Sequence, residues 1–139
     1  MIFKPIGVIK TPFTEKDSMP IQTKGGLGIE GRVEVFNEYS EGLKDLEGFS
    51  HIILFYCFHK SQGFHLLVKP FLEEIEHGVF ATRAPRRPNQ IGISIVKLID
   101  IKENILTIEN VDILNETPLL DIKPYVPEID CVAPSVEPV

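Results

Sequence analysis

The sequence predicts a mainly β fold: a small, single-domain β-barrel over residues 1–139 with one or two short helices and no Rossmann sheet. Three observations lead there. Eleven prolines and ten glycines, scattered along the chain, cut it into apolar runs of strand length. Many of those runs are rich in Ile, Val and Phe, which suit a pleated, half-buried surface. So small a sheet would also expose its edges unless it closed on itself. With 139 residues, 43% hydrophobic and 24% charged, the chain can build one self-sufficient core and falls outside the disordered, collagen-like and long coiled-coil classes.

Each element follows from a local pattern. Phe3 to Ile9 reads as a first strand and Thr11 to Gly28 as a long loop holding Pro12, Pro20 and Gly25-Gly26. In Gly31 to Phe36, Val33 and Val35 alternate with Arg32 and Glu34, the period of a half-buried strand. Leu43 and Leu46, set among charges in Glu38 to Glu47 and followed by Gly48, predict a short amphipathic helix closed by a glycine. Ser50 to Phe58 is continuously apolar after His51 and reads as a strand buried on both faces. His59 to Gly78 mixes Gly, Pro and acids and reads as an excursion with at most a short helical turn. Ile91 to Ile101 and Ile105 to Leu114 form two strands of a hairpin turning at Lys102-Glu103-Asn104. Thr117 to Val139 carries five prolines and should run extended over the surface.

The formal net charge of −6 excludes indiscriminate polyanion binding through a broad basic surface, so any nucleic-acid role needs a local patch. Cys57 and Cys131 are too few for a disulfide scaffold and form no C-x-x-C pair, which points to a reducing, cytoplasmic setting. The N-terminus lacks an apolar secretory core, and Ile52 to Phe58, the longest apolar run, is too short to span a bilayer; no membrane role is expected. His51, His59, His65 and His77 have no zinc-ligand spacing, and no metal is expected. Gly25-Gly26-Leu27-Gly28 lacks the G-K-[ST] of a phosphate loop and reads as a mobile loop; neither a G-x-S-x-G motif nor a Rossmann fingerprint occurs.

Two segments carry chemistry. In Thr82-Arg83-Ala84-Pro85-Arg86-Arg87-Pro88-Asn89-Gln90-Ile91-Gly92-Ile93-Ser94, three of the chain's four arginines fall within five residues. Pro85 and Pro88 fix φ locally, so the guanidinium groups are presented to an anion with part of the loop entropy already removed. The bland reading is a solvated basic turn. Gly92 reads as a point of close backbone approach or as an ordinary bulge. In Asp121-Ile122-Lys123-Pro124-Tyr125, extended backbone puts Asp121, Lys123 and Tyr125 on one face, where they can meet an amine or ribose hydroxyl, a carboxylate, and a base or sulfonium. A surface ion pair with a core-facing Tyr125 is the plain alternative.

These segments occur together with Pro5-Ile6-Gly7-Val8-Ile9, Gly31-Arg32-Val33-Glu34-Val35-Phe36, Tyr39, Glu41-Gly42-Leu43 and Leu46-Glu47-Gly48-Phe49-Ser50-His51-Ile52. In that order, and along nearly the whole chain, the sequence resembles the TsaA-like (YaeB, TrmO) family. The resemblance implies a β-barrel that binds S-adenosylmethionine without a Rossmann sheet, works as a homodimer and methylates N6 of threonylcarbamoyladenosine beside the tRNA anticodon. By position in the family's motifs it assigns Asp121, Lys123 and Tyr125 to catalysis. It assigns Arg83, Arg86, Pro88, Asn89, Ile91, Gly92, Ser94, Asp121 and Pro124 to the cofactor, and Arg87 and Lys123 to the tRNA substrate. Two departures stand out. The family's Asp-Gly before Thr-Pro is Asn115-Glu116 here, which changes the turn and brings a carboxylate toward a possible pocket. Bacterial members continue into a C-terminal domain implicated in the tRNA reaction, whereas this chain ends at Val139. Methylation of another RNA or a small molecule, or a noncatalytic S-adenosylmethionine-binding regulatory module, therefore stays open.

Overall fold

Residues 1–15, 27–70 and 73–133 are described by a computed structural model. Six strands close into a barrel: β1 (Gly7–Lys10), β2 (Glu30–Val35), β7 (Ile105–Glu109), β6 (Ile91–Lys102), β3 (His51–Cys57) and β8 (Thr117–Pro124), in that spatial order and with every neighbour antiparallel. A two-stranded ribbon, β4 (Leu67–Val68) with β5 (His77–Gly78), stands apart from it. Closure runs through Gly7, which pairs with Val35 on one side and Leu119 on the other. Alternate side chains fill the interior: Ile9, Val33, Ile52, Leu54, Val96, Leu106, Ile108 and Leu119 are fully buried. A bulge between Leu98 and Asp100 lets the long β6 pair with β3 along its first half and β7 along its second.

Several expectations change in structural detail. β3 is buried on one face only, alternating between buried Ile52, Leu54 and Tyr56 and half-exposed Ile53, Phe55 and Cys57. A barrel of this size has one packed interior, so a continuously apolar strand leaves apolar side chains outside. Phe3 is exposed, and β1 starts only at Gly7. The expected amphipathic helix is two 3-10 turns, Asn37–Leu43 and Leu46–Gly48, separated at Asp45, which sits in the left-handed region at φ 71; Gly48 caps nothing. Leu43 still packs into the core. The excursion folds as the ribbon β4–β5, followed by a 3-10 turn at Val79–Ala81. The β6–β7 hairpin is as expected, Lys102 pairing with Ile105 around a left-handed Glu103, but β7 stops at Glu109 because Asn110 takes φ 70.

The largest correction concerns the proline-rich end. Thr117–Pro124 is not a surface segment but the strand that closes the barrel between β1 and β3. Pro118 and Pro124 are tolerated because each lies where the ladder does not need its missing N–H, one in the short β1 pairing and the other at the strand's last residue. A single α-helical turn, α1 (Pro127–Asp130), follows. Most of the expected Thr11 to Gly28 loop, and the tail from 134, lie outside the described residues.

Candidate functional site

The outer face of β6, β3 and β8 is a grid set by strand register. Ile93, Phe55 and Asp121 form one row across the three strands, and Ile95, Ile53 and Lys123 form the next. The following row joins Lys97 to His51, whose carbonyl accepts a hydrogen bond from the Tyr125 amide. Adjacent strands lie about 4.8 Å apart, so Asp121 and Ile93 border a strip two strand spacings wide. Strict alternation from buried Leu119 would turn Asp121 into the core. A bulge opposite Phe55 and Tyr56 shifts the register of β8, so that Ile122 pairs with buried Leu54 and packs on the core while Asp121 and Lys123 face outward.

Asp121, Lys123 and Tyr125 therefore line one border of an apolar strip. Lys123 Nζ lies 3.2 Å from Asp121 Oδ2, with both side chains more than half exposed. Tyr125 meets His51 edge to face at 6.4 Å rather than entering the core. The Tyr125 hydroxyl is held above its ordinary range, first by partial desolvation and then by Cys131 and Asp130.

The other border is β6, and the arginine segment leads into it at Ile91, at one end of the strip. Its arginines divide their work. Arg87 is half-buried and donates from Nη1 to the carbonyls of Thr82 and Ala84, clamping the loop on itself. Arg86 donates from Nε to the Gln62 carbonyl, and Gln90 donates to the Gly63 carbonyl, which ties the loop to the excursion. Arg83 and Arg86 are exposed, as are Pro88 and Asn89. Ile91 points outward onto the strip, whereas Gly92 and Ser94 point into the barrel. Gly92 does permit a close approach, but of the protein's own aromatics: a Cβ there would collide with the Tyr56 ring and lie 2.7 Å from Phe58 Cζ. Ser94 Oγ bonds the Tyr56 hydroxyl at 2.8 Å and donates to Asp112 Oδ1 at 2.8 Å. Burial raises the Tyr56 hydroxyl to about 12.

Beside β8 lies a feature that the sequence reading did not place. β1 pairs with β8 no further along than Leu119, and beyond that point a cleft of about 620 Å³ opens, lined by Ile6, Tyr39, Leu46, Phe49, Asp121, Ile122 and Pro124 among others. Glu38, Glu41 and Asp45 add carboxylates to its wall. Tyr39, Glu41-Gly42-Leu43 and Phe49 were visible only as part of the family match; distance in sequence from Asp121 hid their role as its neighbours.

At the Asn115-Glu116 departure the backbone takes a conformation that glycine adopts readily. Glu116 itself adopts the left-handed φ of 65, and its carboxylate reaches Lys10 Nζ at 2.6 Å, away from the strip. That hydrogen bond raises the Lys10 ammonium above its ordinary range. Asn115 Oδ1 accepts from the Thr11 amide, anchoring the other side of the turn.

Comparison with known proteins agrees with both the barrel and the motifs. Residues 8–131 match the tRNA-methyltransferase O N-terminal domain. The chain belongs to that family. Among members of the tRNA-methyltransferase O group, a crystal structure of TrmO superposes with a TM-score of 0.82 at 39% identity, covering 99% of this chain and 62% of that one. A probable S-adenosyl-L-methionine-binding protein of Pyrococcus abyssi is 62% identical over 128 residues, 92% of this chain and 70% of its own length. The human tRNA (adenine(37)-N6)-methyltransferase is 33% identical over 147 residues, covering 99% of this chain but 33% of that protein. The chain thus spans under two thirds of the TrmO structure and a third of the human enzyme. Among the described residues, no group of three or more His, Cys, Asp or Glu side chains could hold a metal ion. No described helix is long and apolar enough to cross a membrane.

Proposed function

We propose that this chain is an S-adenosylmethionine-dependent methyltransferase acting on N6 of threonylcarbamoyladenosine in tRNA. The observation that carries the reading is strand register: it sets Asp121 to Tyr125 along one side of an apolar strip whose other side is the strand that the arginine loop leads into at Ile91. The residues fit the cofactor's chemistry: exposed guanidinium groups suit its carboxylate, Phe55 and Ile93 offer apolar surface to an adenine, and the Asp121 carboxylate suits a cationic neighbour. When bound, S-adenosylmethionine supplies an electrophilic methyl group on a sulfonium.

The protein's own contribution is chiefly positional, since in-line transfer depends on holding nucleophile and methyl in near-attack geometry. The clamped loop, stiffened by Pro85 and Pro88, holds Arg83 and Arg86 in place. As N6 gains the methyl it must lose a proton, and Asp121, steadied by Lys123, is the carboxylate of this face placed to accept it. Lys123, and the arginines of the loop, also offer partners for the carboxylate of the threonylcarbamoyl group.

The working form we propose is a homodimer in the cytoplasm. Ile91, Ile93 and Ile95 are each at least 40% exposed on one strand face, beside Ile53 and Phe55, an apolar patch that a second copy would cover. A twofold contact there would lay one protomer's arginine loop toward its partner's Asp121 border. Two free cysteines support a reducing compartment. Calorimetry with S-adenosylmethionine, followed by methyl transfer to tRNA with and without the threonylcarbamoyl group, tests the reading. Binding plus transfer to the modified tRNA alone is expected; a folded sample that binds no cofactor at millimolar concentration would sink it.

A further inference from the structure

The excursion and arginine loop share a property that the strip does not explain. Residues 59–90 hold Lys60, Lys69, Arg83, Arg86 and Arg87 against Glu73, Glu74 and Glu76, a net positive stretch in a chain whose formal charge is −6. At its centre Phe80 is 76% exposed, while its neighbour Val79 is 1% exposed. Such exposure of a phenyl ring gains nothing for folding, yet the backbone beneath it is strongly braced. The Thr82 amide and hydroxyl both donate to the Val79 carbonyl, at 3.1 and 2.9 Å. Thr82 Oγ1 in turn accepts from the Ala84 amide, and the Thr82 carbonyl accepts from Arg87. The Val79 amide donates to the Leu66 carbonyl, fastening the turn to the ribbon. Phe80, Arg83 and Arg86 consequently ride on one hydrogen-bonded unit.

We propose that Phe80 is a stacking platform for an unpaired base of the RNA substrate, with Arg83 and Arg86 of the same hydrogen-bonded unit meeting backbone phosphate. An aromatic face next to guanidinium groups, in the net positive part of an acidic protein, is the arrangement that holds single-stranded nucleic acid: every base offers a π-face, and the cations track the backbone. The positive charge around the ring makes the occupant RNA rather than a second copy of this acidic chain. This inference rests on the tRNA-methyltransferase reading and adds a contact to the RNA outside the modified base.

The test uses the full chain and a synthetic anticodon stem-loop RNA bearing threonylcarbamoyladenosine. Because the chain has no tryptophan, Phe80→Trp places a single indole at the proposed stack, and its emission should be quenched as that RNA binds. Phe80→Ala should weaken RNA affinity roughly tenfold, Phe80→Tyr should restore it, and S-adenosylmethionine affinity should stay unchanged in both. Unaltered RNA affinity in Phe80→Ala overturns the proposal, as does an unquenched indole in an RNA complex. Lost cofactor affinity in a folded Phe80→Ala sample would place Phe80 in the cofactor site instead. A lower oligomeric mass with unchanged RNA affinity would place it in a protein interface. Failure of the broader reading looks different: the wild-type chain itself would bind no such RNA, and both proposals would fall together.

Discussion

The Arg87 guanidinium donates to the Thr82 carbonyl at 3.0 Å and, from the same nitrogen, to the Ala84 carbonyl at 3.1 Å. Arg87, expected from its motif position to meet substrate, also holds the loop on which Arg83 and Arg86 are displayed. Its replacement by alanine should free the loop, at a cost of about 1–2 kcal/mol in lost charge-assisted hydrogen bonds. Hydrogen exchange should show faster amides across 82–90 with little change in the barrel strands. Lysine should not rescue the loop, because a point-charge ammonium on a flexible stem does not reproduce a planar guanidinium. Protection restored by Arg87→Lys would contradict the clamp.

Glu116 occupies a left-handed position at φ 65, a conformation that glycine takes readily, and its carboxylate pairs with Lys10. Glycine would relieve a backbone cost of roughly 1–2 kcal/mol and give up only a solvent-exposed ion pair. Glu116→Gly should therefore leave the melting temperature equal or higher, while the β-branched Glu116→Val should lower it. Cofactor affinity should be the same in all three proteins. A change in cofactor affinity in Glu116→Gly would show that the carboxylate acts at the site after all, and would revive the noncatalytic reading.

How much of this was legible in the sequence divides along physical lines. Period-two alternation located β2 and apolar runs of strand length located β1, β3, β6 and β7, whereas β8 was missed. The continuous apolar run misled at β3, whose Ile53 and Phe55 lie on its outward, half-exposed face. Prolines misled at 117–124, since Pro118 and Pro124 sit where the ladder tolerates them. Asp121 and Arg86 were singled out as candidates by local patterns. The cleft wall of Tyr39 and Phe49 was not, because nothing local joins them to Asp121. Nor could spacing show that a β-bulge, and not simple alternation, turns Asp121 outward.

Gly92 and Tyr56 form a packing pair inside the barrel, and Ser94 completes it through the Tyr56 hydroxyl. Gly92→Ala forces a methyl into the Tyr56 ring and should destabilise by on the order of 1–3 kcal/mol. Ionisation offers an independent check. The folded Tyr56 hydroxyl lies near 12 against an ordinary 10.0, so the folded state keeps a proton that the unfolded chain has lost. This contribution is complete below the ordinary value and falls as pH rises between the two, by about 1.4 kcal/mol per pH unit. Denaturant titrations across that range should show the decline in wild type and a shallower one in Tyr56→Phe. Equal slopes would contradict the buried hydroxyl.

The isoleucine face of β6 points away from the core, so Ile93→Lys should leave the melting temperature of the protomer nearly unchanged. Light scattering should report a dimer for wild type and a monomer for Ile93→Lys together with Ile95→Lys. Cofactor affinity should fall in the same variant, because Ile93 borders the proposed cofactor site as well as the dimer face. A double variant that remains dimeric would place the interface elsewhere.

The most direct measurement is mass spectrometry of nucleosides from tRNA incubated with the purified chain and isotope-labelled S-adenosylmethionine, using tRNA that carries threonylcarbamoyladenosine without the methyl group. A labelled methyl on N6 of that nucleoside is predicted, with none on tRNA lacking the threonylcarbamoyl group and a large loss in Asp121→Asn. Tight cofactor binding with no transfer to either tRNA, or equal transfer to both, would contradict it.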